Sequence, residues 1–250
     1  MPSVQLHLAL ACLLALVPPL AATYEPPEGI PHADALLLLT AGNRRFAAGE
    51  AIHFQQDALR RSETARNGQT PFAAILTCSD SRVAPELIFD QGIGCLFVVR
   101  IAGNVAQTDE VASLEYAVNH LGTRLVVVLG HTKCGAVTAV VDNAITSPNL
   151  EKLVQPIGPA VAHVLDANPS LCGPALLDAA IRANVAQAIA DIIRLSPSIT
   201  LAVTRGQVRI VGAIYDIESG TVQFMENAPN PPTPPGGEAL DDSEQPEPDR

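Results

Sequence analysis

Short apolar runs alternate along the chain with longer mixed stretches, and the two patterns predict strands and helices in turn. Three apolar runs bounded by polar or turn-forming residues predict buried strands: 71–77, 96–101 and 125–129. Four longer stretches predict helices from their periodicity or their end signals: 33–48, 57–67, 109–121 and 174–195. Two last apolar runs, joined across Glu-Ser-Gly, predict a C-terminal hairpin: 208–214 and 221–224.

The third predicted helix indicates how these segments pack. Val111, Leu114 and Val118 line one face, acidic residues occupy the first turn, and Gly122 follows its end. Strands that are apolar on both faces and separated by such helices predict an α/β fold. We therefore expect a mainly parallel central sheet flanked by helices, with the C-terminal hairpin at its end. In such sheets, binding residues lie just beyond the carboxyl ends of the strands.

The two ends of the chain differ from the segment between them. Residues 1–22 contain an apolar run at 8–17 followed by prolines and small residues, which predicts a signal peptide although no Lys or Arg precedes the run. The run is shorter than the roughly 20 residues that span a bilayer, so we expect no stable membrane anchor. Residues 228–250 hold seven prolines and six acids, which predicts a disordered tail. We expect an exported, periplasmic or secreted protein with one catalytic domain at 23–227.

Composition narrows the possible partners and cross-links. The formal net charge of −11 argues against nucleic acid as a partner. Beyond the predicted signal peptide, four cysteines are too few for a disulfide scaffold. A bridge between Cys95 and Cys172 stays open, although Cys95 begins an apolar run and is more simply a small buried hydrophobe.

Two motifs fall at the predicted site. Cys-Ser-Asp-Ser-Arg at 78–82 follows the first predicted strand, and Gly-His-Thr-Lys-Cys at 130–134 follows the third. Two thiolates and an imidazole suit zinc, and a carboxylate can complete a tetrahedron. We therefore predict one zinc ion per chain, held by Cys78, His131 and Cys134.

Local geometry supplies the expected convergence of these side chains. In an extended segment, alternation places Asp80 and then Arg82 on the same side as Cys78. His131 and Cys134 stand three residues apart at a predicted helix start, which would place them on one helix face. A helix N-terminus there would also favour the thiolate of Cys134.

The paired motifs resemble those of the β-class carbonic anhydrases, and the similarity covers about residues 33–224. Further matching segments lie at 42–46, 99–100, 102–104, 113–118 and 212–217. The resemblance implies the family's α/β fold and reversible hydration of carbon dioxide to bicarbonate and a proton by a zinc-bound hydroxide. It implies that Cys78, His131 and Cys134 hold the zinc. It also implies that Asp80 either completes the coordination or pairs with Arg82 in a catalytic dyad.

The same resemblance implies further site residues and an assembly. Gln69, Tyr116 and Gly135 match positions that bind substrate, and the family implies a homodimer or homotetramer with partner residues lining the pocket. Ile101 departs from the asparagine common at that position. Ile75 stands where some members carry a tryptophan beside a bicarbonate that favours the Asp-coordinated form, so we expect the Asp–Arg paired form.

Three other functions remain open at this point. The same zinc chemistry could hydrolyse carbonyl sulfide or carbon disulfide, because only pocket shape and access separate these substrates. A catalytically silent zinc-binding protein would keep Asp80 on the metal permanently. A thiol oxidoreductase is disfavoured, because the sequence holds no Cys-x-x-Cys pair.

Overall fold

A computed structural model of the chain describes residues 29–225. The predicted signal peptide at 1–22 and the predicted tail at 228–250 lie outside the described residues. The described part falls entirely within the predicted catalytic domain. Along residues 29–225, no helix has both the length and the apolar character needed to cross a membrane.

One five-stranded sheet forms the centre of the described chain, in the order β2-β1-β3-β4-β5. Its strands are β1 (Ala73–Thr77), β2 (Leu96–Arg100), β3 (Leu125–His131), β4 (Arg209–Tyr215) and β5 (Val222–Phe224). The first four in this order are parallel, and β5 runs antiparallel to β4. The predicted mainly parallel sheet and C-terminal hairpin are therefore confirmed.

Helices flank this sheet. They are α1 (His32–Ala48), α2 (Ala58–Asn67), α3 (Pro85–Ile88), α4 (Thr108–Asn119), α5 (Gly135–Val141), α6 (Pro148–Val154), α7 (Gly158–Ala167), α8 (Gly173–Leu195) and α9 (Pro197–Thr204). Two short 3-10 helices lie at Ala102–Asn104 and Gln155–Ile157. The four helices predicted from the sequence correspond to α1, α2, α4 and α8.

The core has two layers, one on each face of the sheet. Ala74 and Leu76 of β1 point into a cluster shared with α4, α5, α7 and α8, whereas Ala73 and Ile75 point into a cluster shared with α1 and α3. This division follows from the alternation of side chains along a strand. Burial on both faces explains why β1 is apolar at every position but its last.

The sequence did not predict α3, α6, α7 or α9, which are all ten residues or shorter, whereas α5 begins beside Cys134, where a helix start was expected. In α9, the Ser196 side chain accepts a hydrogen bond from the backbone N–H of Ile199, and Pro197 occupies the first turn. Ser-Pro therefore ends α8 as predicted and also begins another helix, because serine caps well and proline fits the first turn.

Candidate metal centre

The three predicted metal ligands converge at the carboxyl edge of the sheet. Cys78 directly follows β1, His131 is the last residue of β3, and Cys134 immediately precedes α5. All three side chains are buried, and their ligand atoms lie within 4.8 Å of one another. Because β1 and β3 are adjacent parallel strands, their carboxyl ends bring the two motifs together.

The geometry and donor set fit a zinc ion. A tetrahedral ion about 2.3 Å from each sulfur separates the two sulfurs by about 3.8 Å, and the Sγ atoms of Cys78 and Cys134 lie 4.0 Å apart. Nδ1 of His131 lies 2.9 Å from the carbonyl oxygen of Thr132. Because a carbonyl oxygen can only accept a hydrogen bond, Nδ1 must be the donor and carries the proton. Nε2 is buried without a hydrogen-bond partner. Its lone pair is therefore left for a metal.

A tight turn, and not a shared helix face, brings Cys134 to His131. His131 belongs to β3, whereas Cys134 is the residue before α5, so the expectation that both stand at one helix start was wrong. Lys133 between them has φ of 57°, which reverses the chain direction. The N–H of Thr132 donates to the carbonyl of Tyr215 at 2.9 Å. This bond ties the turn to the end of β4.

A turn also pairs Arg82 with Asp80. The predicted alternation along an extended segment does not hold as far as Arg82, because the N–H of Val83 donates to the Asp80 carbonyl and closes a turn that begins at Asp80. The Arg82 guanidinium donates to both carboxylate oxygens, Nε to Oδ1 at 2.9 Å and Nη2 to Oδ2 at 2.7 Å. The carboxylate nevertheless borders the metal centre, since Oδ2 lies 3.9 Å from Nε2 of His131.

Hydrogen bonding controls the ionisation of these groups. The Arg82 side chain holds the pKa of the Asp80 carboxyl well below its usual range, so Asp80 is an anion at any physiological pH. The thiol of Cys134 and the N–H of Gly103 lower the pKa of Cys78, whereas the neighbouring Cys78 sulfur and burial raise the pKa of Cys134. The two sulfurs thus share one proton, which a bound cation would displace.

Two further residues hold the first motif in place, and the sequence did not assign them a role. Nη2 of Arg100 donates to the carbonyl of Asp80 at 2.7 Å, and the N–H of Gly103 donates to Sγ of Cys78 at 3.3 Å. Arg100 is the last residue of β2 and Gly103 follows that strand. In the sheet, β1 lies between β2 and β3. Their position at the same sheet edge is the signal that could have indicated them.

The predicted substrate-binding residues are spread over the molecule. Gly135 begins α5, is exposed and adjoins Cys134. Tyr116 lies on α4, 48% exposed, with its ring 6.0 Å from that of Phe97. Gln69 precedes β1 and is exposed in a cavity of about 1040 Å³ at the amino edge of the sheet, which Arg124 and Val208 also line. Within one chain, Gln69 therefore lies at the edge opposite the metal ligands.

Cys95 and Cys172 are not paired. Both are free thiols, with Cys95 buried and Cys172 exposed. Burial of Cys95 in the cluster beneath α1 and α3 matches its interpretation as a small hydrophobe.

Comparison with known proteins gives consistent matches. A sequence profile described as carbonic anhydrase matches residues 73–222. Carbonic anhydrase 2 of Mycobacterium tuberculosis is 36% identical over 196 residues, which cover 77% of this chain and 92% of that protein. The carbonic anhydrase of Pseudomonas aeruginosa is 37% identical over 197 residues, covering 71% and 85%. The solved β-carbonic anhydrase CcaA has a TM-score of 0.63 at 30% identity, covering 77% of this chain and 94% of its own.

Proposed function

The chain belongs to the β-carbonic anhydrase family and catalyses the reversible hydration of carbon dioxide, and we propose that it uses one zinc ion held by Cys78, His131 and Cys134. The observation that carries this proposal is the convergence of three buried ligand atoms within 4.8 Å. The matched proteins favour neither a hydrolase of carbonyl sulfide or carbon disulfide nor a catalytically silent zinc protein.

Asp80, held by Arg82, would act as the hydrogen-bond acceptor for the reacting water. When bound, zinc supplies a Lewis acid that lowers the pKa of water in its coordination sphere. Asp80 is held ionised by Arg82 and lies 3.9 Å from Nε2 of His131, so its carboxylate can accept a hydrogen bond from the reacting water. The bidentate Arg82 contact keeps the carboxylate off the metal position and fixes its orientation.

The position of Gln69 supports an assembly of several copies. If Gln69 binds substrate, it must serve the metal centre of a second copy, because its own lies at the opposite sheet edge. We therefore propose a homodimer or homotetramer in which Gln69 of one subunit donates its amide to a substrate oxygen in the partner. Tyr116 and Gly135 would line the same substrate path.

We also propose that the protein is exported to the periplasm or secreted. The apolar run at 8–17, followed by prolines and alanines, supports this location. Fractionation of cells and N-terminal sequencing of the product would test it, and an uncleaved cytoplasmic chain would contradict it.

The function is tested on the purified protein by measuring zinc content together with the rate of carbon dioxide hydration. We expect one zinc per chain and hydration that a chelator abolishes and added zinc restores. Asp80→Asn should retain the zinc, because all three ligands remain, and lose at least about tenfold in turnover, because the charged acceptor is gone. Undiminished turnover would remove Asp80 from the mechanism, and a chain that binds no zinc would contradict the proposal.

A further inference from the structure

Helix α8 buries one amide among apolar neighbours, one turn before and after it. Asn184 is only 2% exposed and lies among Ala180, Ile181, Val185 and Ala188, all of which are buried. Burying an amide without a partner is unfavourable, because the group loses its hydrogen bonds to water and gains none in return. A buried asparagine among such neighbours therefore requires a specific hydrogen-bond partner.

Its partner belongs to the turn that contacts the metal centre. Nδ2 of Asn184 donates to the carbonyl oxygen of Gly103 at 2.7 Å, a contact between residues 81 positions apart. The N–H of the same glycine donates to Sγ of Cys78 at 3.3 Å. A chain of two hydrogen bonds thus connects α8 to a sulfur ligand.

Gly103 is fixed from the other side by packing. Its φ of 75° is favourable for glycine alone, and a β-carbon placed on it would lie 2.7 Å from Cδ1 of Ile157 and 3.1 Å from Cβ of Ala136. The side chains of Ile157 and Ala136 therefore leave no room for a β-carbon at this position. The Asn184 amide holds the Gly103 carbonyl. This hydrogen bond and the close packing together direct the Gly103 N–H at the Cys78 sulfur.

We propose that Asn184 is a positioning residue of the metal centre: it holds Gly103 so that the Gly103 N–H stays directed at the Cys78 sulfur. A hydrogen bond to a thiolate ligand fixes the orientation of the sulfur and moderates its charge donation to the metal. This inference rests on the proposed zinc site. Asn184 itself touches neither metal nor substrate.

The test compares two substitutions on the same helix. Asn184→Leu preserves the branched shape and the number of non-hydrogen atoms of the side chain but removes the donor to Gly103. Gln187→Leu is the matched control, because it removes a hydrogen bond from Gln187 to Asp191, at 3.1 Å, that does not involve the metal ligands. Each purified protein is measured for the rate of zinc release to a chromogenic chelator and, after cobalt substitution, for its thiolate-to-cobalt charge-transfer absorption.

Asn184→Leu should release zinc about 10- to 100-fold faster than the unsubstituted protein, the range found when partners of metal ligands are removed. Its charge-transfer band should also move, whereas Gln187→Leu should change neither property. A folded Asn184→Leu protein with a release rate within about twofold of the unsubstituted protein and an unmoved band would overturn the inference. An unsubstituted protein that takes up no zinc would instead contradict the proposed function.

A measurement on the unsubstituted protein keeps the inference testable if Asn184→Leu does not fold. With ¹¹³Cd in place of zinc, a hydrogen bond from Gly103 to a metal-bound sulfur should give scalar coupling between the Gly103 amide proton and the metal. Absence of that coupling would overturn the inference. In Asn184→Ser, whose shorter side chain cannot reach the same carbonyl, the coupling should weaken or disappear, and an unchanged coupling would also count against the proposal.

Discussion

Replacing Gly130 with alanine should disturb the metal centre through the packing of α8. A β-carbon on Gly130 would lie 2.6 Å from Cγ2 of Val185, far inside van der Waals contact. The other methyl of Val185 lies over β4, where a β-carbon on Gly212 would be 2.9 Å from Cγ1. Valine in a helix has one strongly preferred side-chain rotamer, so the contact is relieved mainly by movement of the backbone.

The size of the effect follows from these distances. Restoring a carbon–carbon contact of about 3.5–4.0 Å requires a local separation of α8 from β3 by about 1 Å. Overpacking of this kind typically costs about 1–3 kcal/mol. Because His131 directly follows Gly130, the displacement reaches a metal ligand, and a misplacement of about 1 Å at a reacting centre can lower the rate about 100-fold.

The assay is urea unfolding of the zinc-loaded protein, followed by circular dichroism, together with stopped-flow hydration of carbon dioxide. We expect Gly130→Ala to lose about 1–3 kcal/mol of unfolding free energy and about 10- to 100-fold in hydration rate. Gly158→Ala is the control, because a β-carbon there meets nothing within 4 Å. It begins α7 with helical φ and ψ, where the helix preference of alanine is offset by the crowding of its β-carbon against the ring of Pro159, so the change in stability should stay within about 1 kcal/mol.

A double substitution separates crowding from any other cause. Val185→Ala removes both methyl groups, so the Gly130→Ala/Val185→Ala protein should be more stable than the sum of the two single changes by at least about 1 kcal/mol. Additive free energies would refute the reasoning. So would a Gly130→Ala protein with unchanged stability and activity.

Two further predictions concern pH and charge. Burial opposes ionisation of Asp90, but donors from Arg45 and the backbone outweigh it and hold its pKa below the usual value. This stabilisation is complete above the unfolded pKa near 4 and is lost as pH falls through the lower folded value. Asp90→Asn should therefore lower the free energy of unfolding by about 2 kcal/mol at pH 7 and by less at pH 3. Urea unfolding that shows the same loss of stability at both pH values would contradict this prediction. The rate of carbon dioxide hydration should rise with pH above neutrality, because two thiolate ligands weaken the metal as a Lewis acid, whereas Asp80 is already ionised. A rate that peaks well below pH 7 in buffered stopped-flow assays would argue against this prediction.

The chemistry of the site could be predicted from the sequence because it depends on local features. Each half of the site directly follows an apolar run, and the strands ending at Thr77 and His131 are adjacent and parallel. The residue types alone select zinc, since paired thiolates with an imidazole suit few other ions. The α/β class follows equally directly from buried strands separated by helices.

The path of the backbone around the ligands could not be predicted in this way. His131 and Cys134 converge through the turn at Lys133, and Arg82 meets Asp80 through another turn. Both had been expected from regular helix or strand geometry. A turn conformation depends on bonds to distant segments, such as that from Thr132 to Tyr215, which no local pattern contains.

By itself, the sequence determined the fold class, the two ligand motifs and the edge of the sheet at which they meet, because hydrophobic period and ligand type are local properties. Only the tertiary structure decided that Gln69 lies at the opposite edge and that Asn184 holds Gly103 against Cys78. These relations depend on how α8 and the strands pack. Packing is decided by contacts between residues far apart in the chain, which a linear pattern does not encode locally.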